Sequence, residues 1–286
     1  MNKAIFFQCI KTILKFLLSI IVYMVVSGLI NSIMPFSREY KELVSSASPG
    51  SLLFVLIYAG WICFTIYFLI KHACFTGAAL IAAILFVMFF ISSFMIQLET
   101  LLFGFAFPVL TKADVLLLIL GALVPLLVTV PLMVALFRNK KPAAASRKIN
   151  IKVTAIKIGV LGIIYLSVYW IFGYFIAWQF EEVQIFYSKI YDELSSFVML
   201  PFQVLRGILF GIFIVPLIAM INKKIPFITS VCLVYLCTAV PLVMPNPLFP
   251  DTVRIAHLIE MSGSMLLFGM VSGIILWGKK SPHGRN

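Results

Sequence analysis

The stretch VLLLILGALVPLLVTVPLMVALF, residues 115–137, contains no charged residue and is long enough to cross a membrane as a helix. About 20 apolar residues in an α-helix span the hydrocarbon core of a bilayer. Comparable runs recur from one end of the 286-residue chain to the other. The sequence therefore predicts a polytopic protein whose membrane-spanning segments are α-helices.

The overall composition leads to the same class of protein. Hydrophobic residues make up 63% of the chain and charged residues only 11%, whereas a soluble domain carries about 25% charged residues. The mean hydropathy is +1.13. A membrane β-barrel would contain short segments of alternating hydrophobicity instead of long apolar runs. We therefore expect an all-α bundle of transmembrane helices.

The apolar runs predict eight spans. The first span follows a short basic leader, but its apolar stretch continues past Val26 without a small-residue cleavage site. It is therefore interpreted as a retained span and not as a removed signal peptide. The predicted spans cover residues 12–34, 51–70, 73–96, 115–137, 158–178, 198–221, 226–244 and 256–278.

Charged residues divide unequally between the two sides of this eight-span arrangement. One side carries most of the 22 Lys and Arg residues and no acidic residue, while all ten acidic residues fall on the other side or at its membrane edge. Short loops rich in Lys and Arg stay in the cytoplasm. Both termini are therefore expected to be cytoplasmic, in a plasma membrane, and a bacterial inner membrane fits a compact chain without soluble domains.

The densest basic stretch, RNKKPAAASRKINIK, lies in a linker at residues 138–157. Each basic residue near a membrane surface adds about 1 kcal/mol of attraction to anionic headgroups. The linker is therefore predicted to contact anionic lipids, with docking of an acidic partner as the alternative. The net charge of +12 does not indicate a nucleic-acid partner, because its basic residues are scattered among turns and form no soluble basic domain.

The linker separates two membrane halves, residues 1–137 and 158–286, that share an order of parts. In each half the first span is followed by an amphipathic stretch on the acidic side, at 35–50 and at 181–195. We therefore predict a possible pseudo-repeat of four plus four spans, related by an axis along the membrane normal. A further segment on that side, 97–113, is too apolar for a free loop, and we expect it to lie in the interface.

Polar residues interrupt the apolar pattern near the acidic side of the bundle. A charge at the centre of a bilayer costs at least ~2.5–3.5 kcal/mol, so such residues normally pair or face water and are candidates for function. The alternative is that they are long side chains reaching the headgroups, or a solvated helix end at DTVRIAHLIE, residues 251–260. The candidate pocket residues are Arg206, Glu260, His257, Arg254, Glu99 and Gln203.

Arg206 and Glu260 have opposite charges and similar expected depths in spans six and eight. We predict that they pair, with His257 and Arg254 above them facing an outer cavity and with Glu99 completing the cluster. Gly207 and the Ser-Gly-Ser stretch at 262–264 would let the backbones of the two spans approach closely.

No metal or cofactor is expected. His257 and Glu260 are three residues apart on one helix face, but two ligands on one helix do not make a metal site. No glycine-rich phosphate loop is present. The five cysteines form no Cys-x-x-Cys pair, so neither a disulfide framework nor a zinc site is indicated.

Three functions fit these features. The first is a small transporter, or a transport-associated subunit, with an outward-facing polar pocket for an anionic or zwitterionic solute or a lipid headgroup. The second is an intramembrane enzyme acting on lipid or peptide, with His257 and Glu260 as acid–base groups. The third is an assembly subunit that binds its partner through residues 181–195. A midplane or through-going cavity favours transport, a closed cup favours an enzyme, and a filled bundle favours assembly.

Overall fold

The computed structural model describes residues 3–46, 52–102, 104, 107, 109–138, 145–193 and 196–278. These ranges fold almost entirely into α-helices. The helices are α1 (Lys3–Ile33), α2 (Arg38–Ser46), α3 (Leu52–His72), α4 (Gly77–Phe89), α5 (Met95–Leu102), α6 (Lys112–Phe137), α7 (Ile151–Phe175), α8 (Glu181–Glu193), α9 (Ser196–Phe213), α10 (Val215–Met220), α11 (Lys224–Leu236) and α12 (Asp251–Trp277).

Seven helical segments within the described ranges are long and apolar enough to cross a membrane, which confirms the class of a multi-pass helical protein. They correspond to predicted spans one to six and eight. The seventh predicted span, 226–244, is not one helix: α11 has 13 residues and is followed by a 3₁₀ turn, Val240–Val243. Pro241 lies in that turn, and a proline without an N–H cannot continue the helical hydrogen bonding.

One end of the bundle brings together residues distant in sequence, and we call it the basic end. The Lys15 ammonium donates to the Leu136 carbonyl at 2.8 Å, and Arg138 donates to the Ala73 carbonyl at 3.0 Å. The backbone N–H of Arg147 donates to Ala219. The first half of α1 and the ends of α3, α6 and α10 therefore lie at this end. A hydrogen bond from Arg147 to the Trp277 carbonyl places the end of α12 there as well. Residues 139–144 of the predicted linker, with Lys140 and Lys141, lie outside the described residues.

At the opposite end, which we call the cavity end, hydrogen bonds and aromatic contacts hold the helices together. The buried Asp114 carboxylate accepts hydrogen bonds from the Ser37 N–H and hydroxyl, both at 2.7 Å, which joins the segment before α2 to the start of α6. The same carboxylate forms a capping box with Thr111. Aromatic contacts between Phe107 and Phe249 join the two halves here, with ring centroids 5.2 Å apart.

The two predicted amphipathic stretches contain the surface helices of the cavity end, α2 and α8. Val183 of α8 is buried and packs with Val253 and Ala256 at the start of α12. Residues 47–50 and 194–195 of the predicted stretches lie outside the described residues. The predicted interfacial segment 97–113 differs from the structure at its start, because residues 97–102 continue the third membrane helix through a π turn at Phe90–Phe94.

The segment 224–243 runs antiparallel to α12. At the basic end the ring of Phe227 lies 5.6 Å from that of Trp277, the last residue of α12. At the cavity end Arg254, in the first turn of α12, donates to the carbonyls of Leu242 at 2.8 Å and Val243 at 3.3 Å. The segment therefore follows α12 over most of its length, although only its first part is α-helical.

Candidate functional site

A cavity of about 470 Å³ opens between the two halves at the cavity end. One wall comes from α2, α5 and α6, and the other from α7, α8, α9, α12 and the turn before α12. It reaches Tyr165, ten residues before the end of α7, which corresponds to about 15 Å along the helix axis. The walls are mainly apolar and aromatic. The acidic and basic side chains among its described lining residues are Glu99, Arg206, His257 and Glu260.

Arg206 and Glu99 form a two-pronged ion pair in the cavity wall. The guanidinium nitrogens lie 3.0 and 2.9 Å from the two carboxylate oxygens, a geometry that adds specificity as well as energy. The Arg206 side chain is only 3% exposed, whereas Glu99 is 30% exposed. Arg206 also donates to Gln203, one helical turn earlier, at 3.1 Å, and its Nε has no hydrogen-bond partner among the described residues.

The π turn at Phe90–Phe94 precedes the residues that face Arg206. A π turn adds one residue to a helical turn and so rotates the helix that follows, and such turns are frequent at functional sites. After it, Gln97, Glu99 and Thr100 all line the cavity. Within the turn, the ring of Phe90 stacks on Phe213 at 4.4 Å. This contact ties the third membrane helix to α9, which carries Arg206.

His257 links α8 to the second carboxylate of the cavity. Its Nδ1 lies 3.1 Å from Glu260, and its Nε2 lies 2.8 Å from the hydroxyl of Tyr187. A neutral imidazole has one N–H and one acceptor nitrogen. With the proton on Nδ1, His257 donates to Glu260 and accepts from Tyr187. The chain Tyr187–His257–Glu260 therefore connects the surface helix to a buried carboxylate.

The predicted pair between Arg206 and Glu260 is wrong, although both side chains line one cavity. Arg206 pairs with Glu99, and Glu260 pairs with His257. The reason is the position of α7, which packs against both α9 and α12. The Arg206 guanidinium lies 5.6 Å from the ring centroid of Tyr165, and Tyr165 is within electrostatic range of Glu260. Tyr165 is thus close to the Arg206–Glu99 ion pair and to Glu260.

The small residues expected to join spans six and eight instead join each span to α7. A Cβ atom on Gly207 would lie 2.5 Å from the Cβ of Tyr165. A Cβ atom on Gly263 would lie 2.6 Å from the ring of Phe172. Both distances are closer than real Cβ contacts. At Gly207 the neighbours include backbone atoms of α7, so glycine is needed there, whereas at Gly263 the Phe172 ring would have to turn aside.

Two of the six predicted pocket residues do not line the cavity. Arg254 is bound to Asp251 at 2.8 Å and to the carbonyls of the turn before α12. It therefore fixes the start of α12. Gln203 is fully buried behind Arg206, its oxygen accepts from Arg206, and its Nε2 has no partner in the protein. Arg206, Glu99, His257 and Glu260 do line the cavity.

Sequence reasoning missed other lining residues. Tyr165 and Tyr169 lie on the same face of α7 at helical spacing, and Tyr187 lies on the amphipathic helix α8. The turn PLVMPNPLFP, residues 241–250, also contributes to the wall. Its four prolines are the signal that could have identified it, because proline prevents regular helix and creates a shaped, non-helical wall.

The described residues contain no group of three or more His, Cys, Asp or Glu side chains that could hold a metal ion. Ser264 also lines the cavity, and its hydroxyl donates to the Met261 carbonyl at 3.3 Å. The polar chemistry of the site therefore includes the Arg206–Glu99 ion pair, the hydrogen-bonded pair His257–Glu260 and several tyrosine rings within a mainly apolar chamber.

Fold and site together define a multi-pass helical protein with an ion-paired cavity between its two halves. Comparison with known protein families, characterised proteins and solved structures gives no match to this chain.

Proposed function

We propose that the chain crosses a bacterial plasma membrane eight times, with both termini in the cytoplasm. The antiparallel course of segment 224–243 along α12 supports an eighth crossing. The charges support the orientation, because the described residues of the basic end include Lys15, Arg138 and Arg147 and no Asp or Glu. Basic loops favour the cytoplasmic side.

The pattern of helix contacts supports a parallel repeat of four plus four spans. In the first half α1 packs against α3 and α6, and α4 packs against α6. In the second half α7 packs against α9 and α12, and α11 packs against α12. Between the halves, α3 contacts α11 and α4 contacts α10. A two-fold rotation that exchanges the halves would place α3 where α9 and α10 lie and α4 where α11 lies. It would therefore convert the contact between α3 and α11 into the contact between α4 and α10.

The eight-crossing topology predicts opposite accessibility for the two ends of segment 224–243. The test uses two single-cysteine variants, Lys223→Cys and Pro247→Cys, in a protein whose five native cysteines are replaced by Ser. Both positions are exposed. Each variant is treated with a membrane-impermeant maleimide. In sealed right-side-out vesicles the probe is expected to label position 247, and position 223 only after the membrane is opened. Labelling of both positions from one side would contradict the eighth crossing.

Within this topology, we propose that the protein is a small transporter, or a transport-associated subunit, and that the cavity binds its solute. The observation that carries the proposal is the cavity itself, which lies between the two halves, reaches Tyr165 and has both charge signs on its walls. Substrate sites of membrane transporters lie at the interface between repeats. Ligand pockets are mostly apolar with a few placed polar groups. A cavity of this size argues against a pure assembly subunit.

A zwitterionic solute or headgroup fits the charges better than an anion. Among the described lining residues Arg206 is the one permanent cation, and it already faces Glu99. Glu260 supplies a second carboxylate, and Arg254 does not line the cavity. The ligand's cationic group would approach Glu260, and its anionic group would approach Arg206. The apolar walls would cover its carbon skeleton.

Ligand binding is expected to raise the melting temperature of the purified protein. The probes are glycine betaine, phosphocholine and lysophosphatidylcholine, with succinate and choline as singly signed comparisons. A ligand at 100 times its Kd stabilises by about 2.7 kcal/mol. We expect a zwitterion to stabilise the wild type, and Glu260→Gln and Arg206→Lys to lose most of that effect. Glu182→Gln, an exposed carboxylate on α8 that does not line the cavity, should respond as the wild type does.

Identical responses of the wild type, Glu260→Gln and Arg206→Lys to every probe would refute binding in this cavity.

A second function, an intramembrane enzyme acting on lipid or peptide, is favoured by one observation. Tyr187, His257 and Glu260 form a continuous hydrogen-bonded chain at the cavity wall, which could move a proton to or from a bound substrate. Incubation of reconstituted protein with the stabilising probe separates the two functions. Chemical conversion of the probe favours the enzyme, and its unchanged movement across the vesicle membrane favours the transporter.

A further inference from the structure

The basic end of the bundle holds an arginine whose hydrogen bonding is incomplete. Nη1 of Arg147 is buried and has no hydrogen-bond partner among the described residues. Its Nη2 donates to the carbonyl of Trp277, the last residue of α12, and its guanidinium lies 4.2 Å from the Trp277 ring centroid. A charged donor that is shielded from water without a partner is unfavourable. The arginine is therefore held against the end of α12 and keeps one donor that no described protein group satisfies.

A second cation lies beside it. Lys157, on the second turn of α7, is within electrostatic range of Arg147. Its ammonium also approaches the end of α12, because a Cβ atom on Gly278 would lie 2.6 Å from it. The carbonyls at a helix C-terminus carry about half a negative charge. They offset only part of the two positive charges, and the described residues of this end provide no carboxylate.

The surroundings of the two cations are apolar on the outside of the bundle. Ile151 is 80% exposed and Ile156 is 70% exposed, and both lie on the first two turns of α7 next to Lys157. Exposed residues of this kind in a membrane helix contact lipid chains. Trp277 is a residue type enriched where hydrocarbon meets the headgroups. Arg147 and Lys157 therefore lie where hydrocarbon and headgroups meet.

We propose that Arg147 and Lys157 bind the phosphate of an anionic phospholipid whose acyl chains lie along the first turns of α7. Arg147 would donate from its guanidinium, and Lys157 would add a point charge beside it. Arginine and lysine are the side chains that recognise phosphate in these two ways. This site is separate from the cavity and does not depend on the function proposed for it.

The test uses the full chain in nanodiscs that contain equal amounts of phosphatidylglycerol and phosphatidylcholine. Lipids that stay bound after gentle release are counted by native mass spectrometry. We expect the wild type to retain phosphatidylglycerol over phosphatidylcholine, and Arg147→Gln/Lys157→Gln to lower that preference at least about fivefold. Lys148→Gln/Lys152→Gln removes the same number of positive charges from two exposed positions nearby, and it should keep the preference.

Equal losses in Lys148→Gln/Lys152→Gln and in Arg147→Gln/Lys157→Gln would overturn the site, because they would indicate attraction to general surface charge. Arg147→Lys keeps the charge and removes the forked donor, so it covers the case in which Arg147→Gln/Lys157→Gln does not fold. We expect Arg147→Lys to show a preference for phosphatidylglycerol between those of the wild type and Arg147→Gln/Lys157→Gln. A preference equal to that of the wild type would overturn the role of Arg147. Soluble glycerol 3-phosphate should not stabilise the wild type. If it does so as strongly as the lipid, the site binds free phosphate and the lipid assignment is wrong.

Discussion

Glu99→Leu is expected to lower the free energy of unfolding by about 3–5 kcal/mol, the loss typical of a buried charge without its partner. The variant leaves the Arg206 guanidinium, which is 3% exposed, facing an apolar side chain. Arg206→Met should cost less, because the remaining Glu99 is 30% exposed and can be hydrated from the cavity. Denaturation of the purified protein, followed by loss of helical circular dichroism, measures both effects.

The double variant Glu99→Leu/Arg206→Met separates pairing from packing. Replacing both partners of a buried ion pair by apolar residues is often close to neutral, so we expect it to be more stable than Glu99→Leu alone. Glu42→Gln is the matched control, because its pair with Arg38 is exposed and such pairs contribute about 0–1 kcal/mol. Strictly additive single-variant losses in the double variant would show that Arg206 and Glu99 do not interact.

Sequence alone identified the helices well and the side-chain partners poorly. Long apolar runs are a local property, and residues 115–137 lie within the observed helix Lys112–Phe137. The unequal division of charges also agrees with the described contacts, which bring basic residues together at one end of the bundle. Depth within a span, however, is one coordinate. It does not give the direction in which a side chain points around the helix axis.

The partner of Arg206 illustrates that difference. Glu99 and Glu260 are both acidic residues near the same end of their helices, so matching by depth could not choose between them. The choice depends on the π turn before Glu99, which rotates that helix, and on α7, which packs against α9 and α12. Neither the π turn nor the packing of α7 can be recognised from a simple pattern in a single sequence. The interrupted helix in 226–244 could have been found, since Pro241 was visible in the run.

Gly207→Ala is expected to destabilise the protein by about 3 kcal/mol, the upper part of the range for overpacked sites. The added Cβ would lie 2.5 Å from the Tyr165 Cβ, 2.8 Å from the Gly162 Cα and 2.9 Å from the Leu161 carbonyl oxygen. Two of these neighbours are backbone atoms of α7, and they cannot move aside as the end of a flexible side chain can. Helices α7 and α9 would therefore have to separate.

Separation of α7 and α9 would also move Arg206, the residue next to Gly207, away from Glu99. We therefore expect Gly207→Ala to reduce ligand-induced stabilisation as well as the free energy of unfolding. Gly159→Ala is the matched control on α7, because its Cβ would meet nothing within 4 Å. It should be neutral or stabilising by up to about 1 kcal/mol, since alanine favours the helix over glycine. If both variants behaved alike, the close approach of α7 and α9 would be wrong, and so would the explanation that α7 keeps Arg206 and Glu260 apart.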